Sequence, residues 1–158
     1  MAQNKLQNAI DAYGTFCRVL DKHNWNYQKN EGKLSIDFGA RGDDLLMEFK
    51  VRVDAQRELV MLVSHMPFVV AEDKRLELAV AISAINNLLV DGCFDYDIMS
   101  GNIFFRMTCS YIGSSLSRDV FDYMLFCACD TIDNYNDKLL LIAKGMTTLE
   151  QFLLDIKN

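Results

Sequence analysis

The sequence predicts an α+β domain in which an antiparallel sheet packs against helices. The expected order is helix, three strands, helix, hairpin, helix, with a short extra helix at the end. Three observations carry this. Residues 3–22 and 72–90 repeat apolar side chains at helical spacing, residues 45–54 and 94–111 alternate them at period two, and Gly- or Asn-bearing breaks separate the segments. With 158 residues, one proline and eight glycines, the chain reads as a single domain, residues 1–158. A domain of that size buries about 68–70% of its unfolded surface, enough for a sizeable core.

In the first helix Leu6, Ala9, Ile10, Tyr13, Cys17 and Leu20 form the apolar stripe, and Asn24 and Asn26 around Trp25 end it. LSIDF (34–38) alternates, ARGDD (40–44) turns, and LLMEFKVRVD (45–54) sets Met47, Phe49, Val51 and Val53 on one face. ELVMLVSHM (58–66) is apolar on both faces, as expected of a central strand, and Pro67 is expected to end it.

Residues 72–90 read as the second helix, with Glu72 and Asp73 in its first turn. Leu78, Ile82, Ile85 and Leu89 make one stripe, and Leu76, Ala79, Val80 and Ser83 a second beside it. A helix lying on one sheet needs a stripe only about 100° wide. The excess calls for a second cover.

CFDYDIMSGNIFFRMTC (93–109) has two readings, a cation loop or a hairpin. An EF-type loop wants oxygen ligands at its first, third and fifth positions, glycine at the sixth and a carboxylate at the twelfth. Counted from Asp95, the fifth is Met99, the sixth Ser100 and the twelfth Arg106. The hairpin accounts for more: Phe94 and Tyr96 meet Ile103 and Phe105 on the buried face, Asp95 and Asp97 face solvent near Arg106, and Met99-Ser100-Gly101 turns the chain. No metal site is expected.

Ser117 is an N-cap for a helix carrying Val120, Phe121, Met124, Leu125, Ala128, Ile132 and Tyr135. That helix can run to Lys144 before Gly145, although DNYND (133–137) is polar enough to kink it. Thr147 and Glu150 suggest a capping box for a last helix, 148–157, with Leu149, Phe152, Leu153 and Ile156 on one side. This helix either caps the body of its own chain or docks on a partner groove, and the short connection through Gly145 and Met146 favours the body.

The composition excludes several classes. A net charge of −6 without clustered Lys or Arg argues against nucleic acid. No apolar run approaches the about 18 residues that span a bilayer, and the N-terminus lacks the pattern of a signal peptide. Cys17, Cys93, Cys109, Cys127 and Cys129 are odd in number and without CxxC spacing, the pattern of reduced thiols in a cytoplasmic protein. His23 reads as a partner for the first helix's C-terminal dipole, and His65 as a side chain at a strand end. No nucleophile, P-loop or dinucleotide motif is present, so neither an enzyme nor a cofactor is expected.

The stretch RLELAVAISAINNLLVDGCFDYDIMSGNIFFRMTCSY resembles the YbjN family of bacterial sensory-transduction regulators, whose fold is similar to that of type III secretion chaperones. The matching features are Arg75 opening a helix, Ile85-Asn86 closing it, the step from Gly92 to Phe94, the acidic turn, and Ser117. The similarity spans roughly residues 33–145 by pattern and element order. It implies the order α-β-β-β-α-β-β-α, a homodimer, and recognition through the central helix and the sheet edges. No catalytic residue comes with it.

The expected function is therefore a non-catalytic interaction module that pairs as a homodimer through Leu78, Ile82, Ile85, Asn86 and Leu89 and binds an unidentified polypeptide. Asn86 or Asn87 either bonds nearby backbone or sets register across the dimer. The alternative is a small-ligand or enzymatic pocket between sheet and helices, lined by Met47, Phe49, Phe105 and Tyr111.

Overall fold

A computed structural model describes residues 2–157. Helix α1 (Ala2–Lys22) leads into β1 (Tyr27–Asn30), β2 (Ser35–Arg41), β3 (Leu46–Asp54) and β4 (Leu59–Val69). Helix α2 (Arg75–Asn86) follows, then β5 (Cys93–Asp97), β6 (Asn102–Ser110), α3 (Arg118–Ala143) and α4 (Leu149–Asp155). The six strands form one antiparallel sheet in the order β1-β2-β3-β4-β6-β5.

Alternation decides which face is covered. Met47, Phe49, Val51 and Val53 of β3 are buried as the period-two pattern requires, with Glu48, Lys50 and Arg52 turned outward. Ile36 and Phe38, Val60 and Leu62, and Ile103, Phe105 and Met107 extend this inner face across the neighbouring strands. Phe49 stacks on Phe38 at 5.1 Å, and Phe38 is met edge-on by Trp25. α1 lies over β3 and against α3, α2 rests on β5, and α4 touches both α2 and α3. All the helices thus share one side of the sheet.

The hairpin forms in the expected register, Phe94 opposite Phe105 and Tyr96 opposite Ile103. Gly101 has φ +79°, and a Cβ there would sit 2.4 Å from the Val70 carbonyl, so the turn needs glycine. Asp97 accepts from the Met99 N–H at 3.0 Å and from the Ser100 hydroxyl at 2.6 Å, and those bonds hold its carboxyl below the usual range.

Several elements depart from expectation. β1 is a strand that alternation does not announce, because Tyr-Gln-Lys-Asn lies at the sheet edge and only Tyr27 is half-buried. β4 continues past Pro67 to Val69, and its register with β6 slips between His65 and Val69, so the proline falls where the regular ladder is interrupted. The buried face of α1 is turned from the expected stripe. Ala12, Phe16 and Val19 join Ala9, Tyr13 and Leu20 in the core, while Leu6 and Ile10 are exposed. α2 is shorter than 72–90: Glu72–Lys74 is a 3₁₀ turn and the helix closes at Asn86.

Ser117 caps α3 by accepting from the Val120 N–H. The DNYND segment leaves α3 unbroken, and its side chains are placed against specific neighbours. Asp133 accepts from the Asp43 N–H at 2.9 Å, Tyr135 meets Phe94 edge-on, and Asn136 turns into the core. The cap of α4 is Thr148, which accepts from the Gln151 N–H at 3.2 Å, one residue later than the Thr147 box expected. Phe152 is fully buried, and Leu149, Leu153 and Ile156 pack against the core. These four side chains cap their own chain instead of waiting for a groove elsewhere.

Truncating Phe152→Ala should cost about 3–5 kcal/mol in urea unfolding, since a buried aromatic leaves a cavity behind. An unchanged midpoint would mean that α4 does not belong to the core. Neither amide atom of Asn136 has a hydrogen-bond partner among the described residues. Asn136→Leu should therefore raise stability by about 1–3 kcal/mol, the scale of an unsatisfied buried polar group, and a lower melting temperature would refute that reading.

Candidate functional site

α2 presents two faces of unlike fate. Leu78, Ala81, Ile82 and Ile85 point into the protein's own core, and Leu89 packs against its margin. The stripe expected to meet a second copy is thus already enclosed by the sheet, α3 and α4. Leu76 and Val80, one turn apart, remain 75% and 49% exposed. Leu88 and Val90 follow in the loop at 47% and 95%. The surplus apolar surface exists, but on residues next to the expected ones.

Asn86 takes the first of its two expected roles, bonding to nearby backbone. Its carboxamide accepts from the Phe94 N–H at 2.8 Å and donates to the Phe94 carbonyl at 2.9 Å. Because β6 lies on the opposite side of β5, these bonds occupy the free edge of the sheet. A side chain stands where another strand's backbone would pair. The aliphatic-Asn signal at the helix end marked the residue, while its partner became visible only once the chain had folded.

Among the described residues no helix covers the outer face of the sheet. Lys50, Val63, Arg106 and Cys93 form one row across it, and Glu48, His65, Phe104 and Asp95 the next. Arg106 forks onto Asp95, with Nη2 at 3.0 Å from one carboxylate oxygen and Nε closer to the other. Burial, then the Asp95 charge, push the Cys93 thiol up, keeping it protonated and a poor nucleophile. His65 leans on the Phe104 ring at 5.4 Å. His23 pairs with Asp122 of α3 at 2.7 Å instead of serving the end of α1.

Met47, Phe49, Phe105 and Tyr111, the lining proposed for an internal pocket, are all buried members of one hydrophobic cluster. The Tyr111 hydroxyl donates to the Asp54 carbonyl at 3.2 Å, a structural bond. Among the described residues no group of three or more His, Cys, Asp or Glu side chains is placed to hold a metal ion. No helix among them is long and apolar enough to cross a membrane.

The geometry is that of an antiparallel sheet with helices on one side, an exposed helix face and a blocked edge. A family model, YbjN, described as "Putative bacterial sensory transduction regulator", matches residues 14–141. The chain belongs to the YbjN family. The match takes in the second half of α1, further toward the N-terminus than the resemblance in sequence pattern reached, and it stops before α4. YbjN from E. coli, described as "a putative transcription regulator", aligns with TM-score 0.61 and 14% identity over 86% of this chain and 95% of that one. A chain of the ExsC–ExsE complex aligns with TM-score 0.56 and 15% identity, over 84% of this chain and 92% of that one. An uncharacterized protein from Methanothermobacter thermautotrophicus aligns at 0.50 and 10% identity, over 92% and 99%. The fold is shared with YbjN and with that chain of the ExsC–ExsE complex. No sequence among the curated proteins matches the chain.

Asn86→Ala should speed amide exchange at Phe94 by about tenfold or more and lower stability by about 1–3 kcal/mol, the range for a lost hydrogen bond to buried backbone. Unchanged exchange at Phe94 would show that the carboxamide does not guard this edge.

Proposed function

We propose that this protein is a non-catalytic interaction module, a chaperone-like or regulatory adaptor of the bacterial cytoplasm that binds a polypeptide and works as a homodimer. One observation carries the reading: α2 fills the core with Leu78, Ala81, Ile82 and Ile85, yet still presents Leu76 and Val80 to water. Exposed aliphatic side chains on a regular helix gain from being covered, by about 25 cal/mol for each Å² of apolar area removed from water. In this reading the cover is the same face of a second copy, the self-complementary geometry of a two-fold dimer.

The polypeptide-binding part draws support from the likeness to a chain of the ExsC–ExsE complex, two proteins in one assembly. The non-catalytic part draws support from how the polar groups are engaged. Asp97 holds a turn, Asp95 holds Arg106, and His23 holds Asp122. The five cysteines are unpaired, which agrees with a reducing compartment.

Light scattering during size-exclusion chromatography tests the dimer. The wild-type protein should run as a dimer at micromolar concentration, and Leu76→Asp with Val80→Asp should run as a monomer with an unchanged circular dichroism spectrum. A monomeric wild type would overturn the pairing.

A further inference from the structure

A second surface lies along α3. Along α3, Tyr123 and Phe126 are 53% and 49% exposed, although both are large aromatic side chains. Beside them a groove of about 780 Å³ runs between α3 and the β2–β3 turn, with Met47 and Cys127 in its lining. That volume lies within the roughly 300–1,000 Å³ of ordinary binding clefts.

Both ends of the groove are pinned. At one end Lys22, the last residue of α1, and His23, just past it, reach Asp122 at 2.8 and 2.7 Å. The bonds from Lys22 and then His23 hold the Asp122 carboxyl below its usual range. The Phe126 ring meets the His23 ring edge-on at 5.0 Å. At the other end Asp133 accepts from the Asp43 N–H and fixes the turn against α3. The walls are therefore set before any ligand arrives, which lowers the ordering cost of binding.

The charges choose the occupant. Asp122 and Asp133 are engaged as described, whereas the Asp43 and Asp130 carboxylates, both exposed and both lining the groove, have no hydrogen-bond or ion-pair partner among the described residues. Arg41 also lines it and offsets one of these charges. What remains is an apolar trough with aromatic walls and a negative rim. A guanidinium stacks on an aromatic face and bonds a carboxylate through its planar fork, and an apolar neighbour in sequence would follow the trough.

We propose that this groove binds a segment of a partner polypeptide that carries arginine next to apolar side chains. This deepens the polypeptide-binding reading by naming the segment's chemistry, and it does not depend on pairing through α2.

The test uses the full-length protein and a short fluorescein-labelled peptide of alternating Leu and Arg, beside the same peptide with Glu in place of Arg. Fluorescence anisotropy should show binding of the Arg peptide alone, weakening as salt rises. Asp43→Lys with Asp130→Lys should cost about tenfold or more in affinity, the equivalent of about 1.4 kcal/mol. Phe126→Ser should weaken binding as well. Glu72→Lys with Asp73→Lys, an equal change of net charge away from the groove, should leave it intact.

Three results would overturn the proposal: equal binding of the Glu peptide, unchanged affinity in the Asp43/Asp130 variant, or equal losses in both charge-reversed variants. Retained Arg-peptide binding by the Leu76→Asp/Val80→Asp variant supports the groove whatever its oligomeric state. A wild-type monomer that binds the Arg peptide would remove the dimer and keep the groove.

Discussion

Everything in this fold depends on a sheet that is covered on one side only. Period-two alternation in β2, β3, β4 and β6 sends one row of apolar side chains toward α1, α2 and α3 and the other row outward. A slip of one residue in any strand would exchange those rows and place charges such as Glu48 and Lys50 in the core. The hydrophobic pattern therefore fixes register, and register fixes which groups are left facing water. The bare outer face with its Arg106–Asp95 fork follows from the same constraint.

α2 stands where this constraint is tightest. It connects β4 to the β5–β6 hairpin, and its last residue closes the hairpin's free edge through the two Phe94 bonds. Helix and sheet edge are thus one unit: the polar group that ends the helix also satisfies backbone that a neighbouring strand would otherwise satisfy. α4 adds cover from outside the region matched by the family model, seating Phe152 beside α2 and α3. With that flank closed, the apolar surplus narrows to Leu76 and Val80, then Leu88 and Val90 beyond the helix end.

The two candidate surfaces differ in chemistry as well as place. The α2 face is aliphatic, suited to a partner of like character. The α3 groove combines aromatic walls with unpaired carboxylates, suited to a cation on an apolar segment. An adaptor with both could pair through one and hold its polypeptide with the other, without conflict between them.

Element type, the hairpin register and the Ser117 cap were legible in the sequence because each rests on local spacing: two residues for a strand, three or four for a helix, one glycine for a turn. The family resemblance rested on the same local order. Local spacing also established that α2 is more apolar than a sheet requires. It could not say which apolar residues stay exposed, since Leu78 and Leu76 differ only in direction, and direction is set by α3 and α4 arriving from far along the chain. The same holds for Asn86, whose partner is eight residues away across a turn, and for Asp122, which meets His23 from 99 residues away. The groove beside Phe126 exists only because α3 stays straight through DNYND and the β2–β3 turn is tied to Asp133. Sequence by itself determined most of the elements, the edge strand β1 excepted, and the supply of apolar and charged groups; tertiary packing decided which of them remain available to a partner, because burial belongs to the assembled chain and to no residue alone.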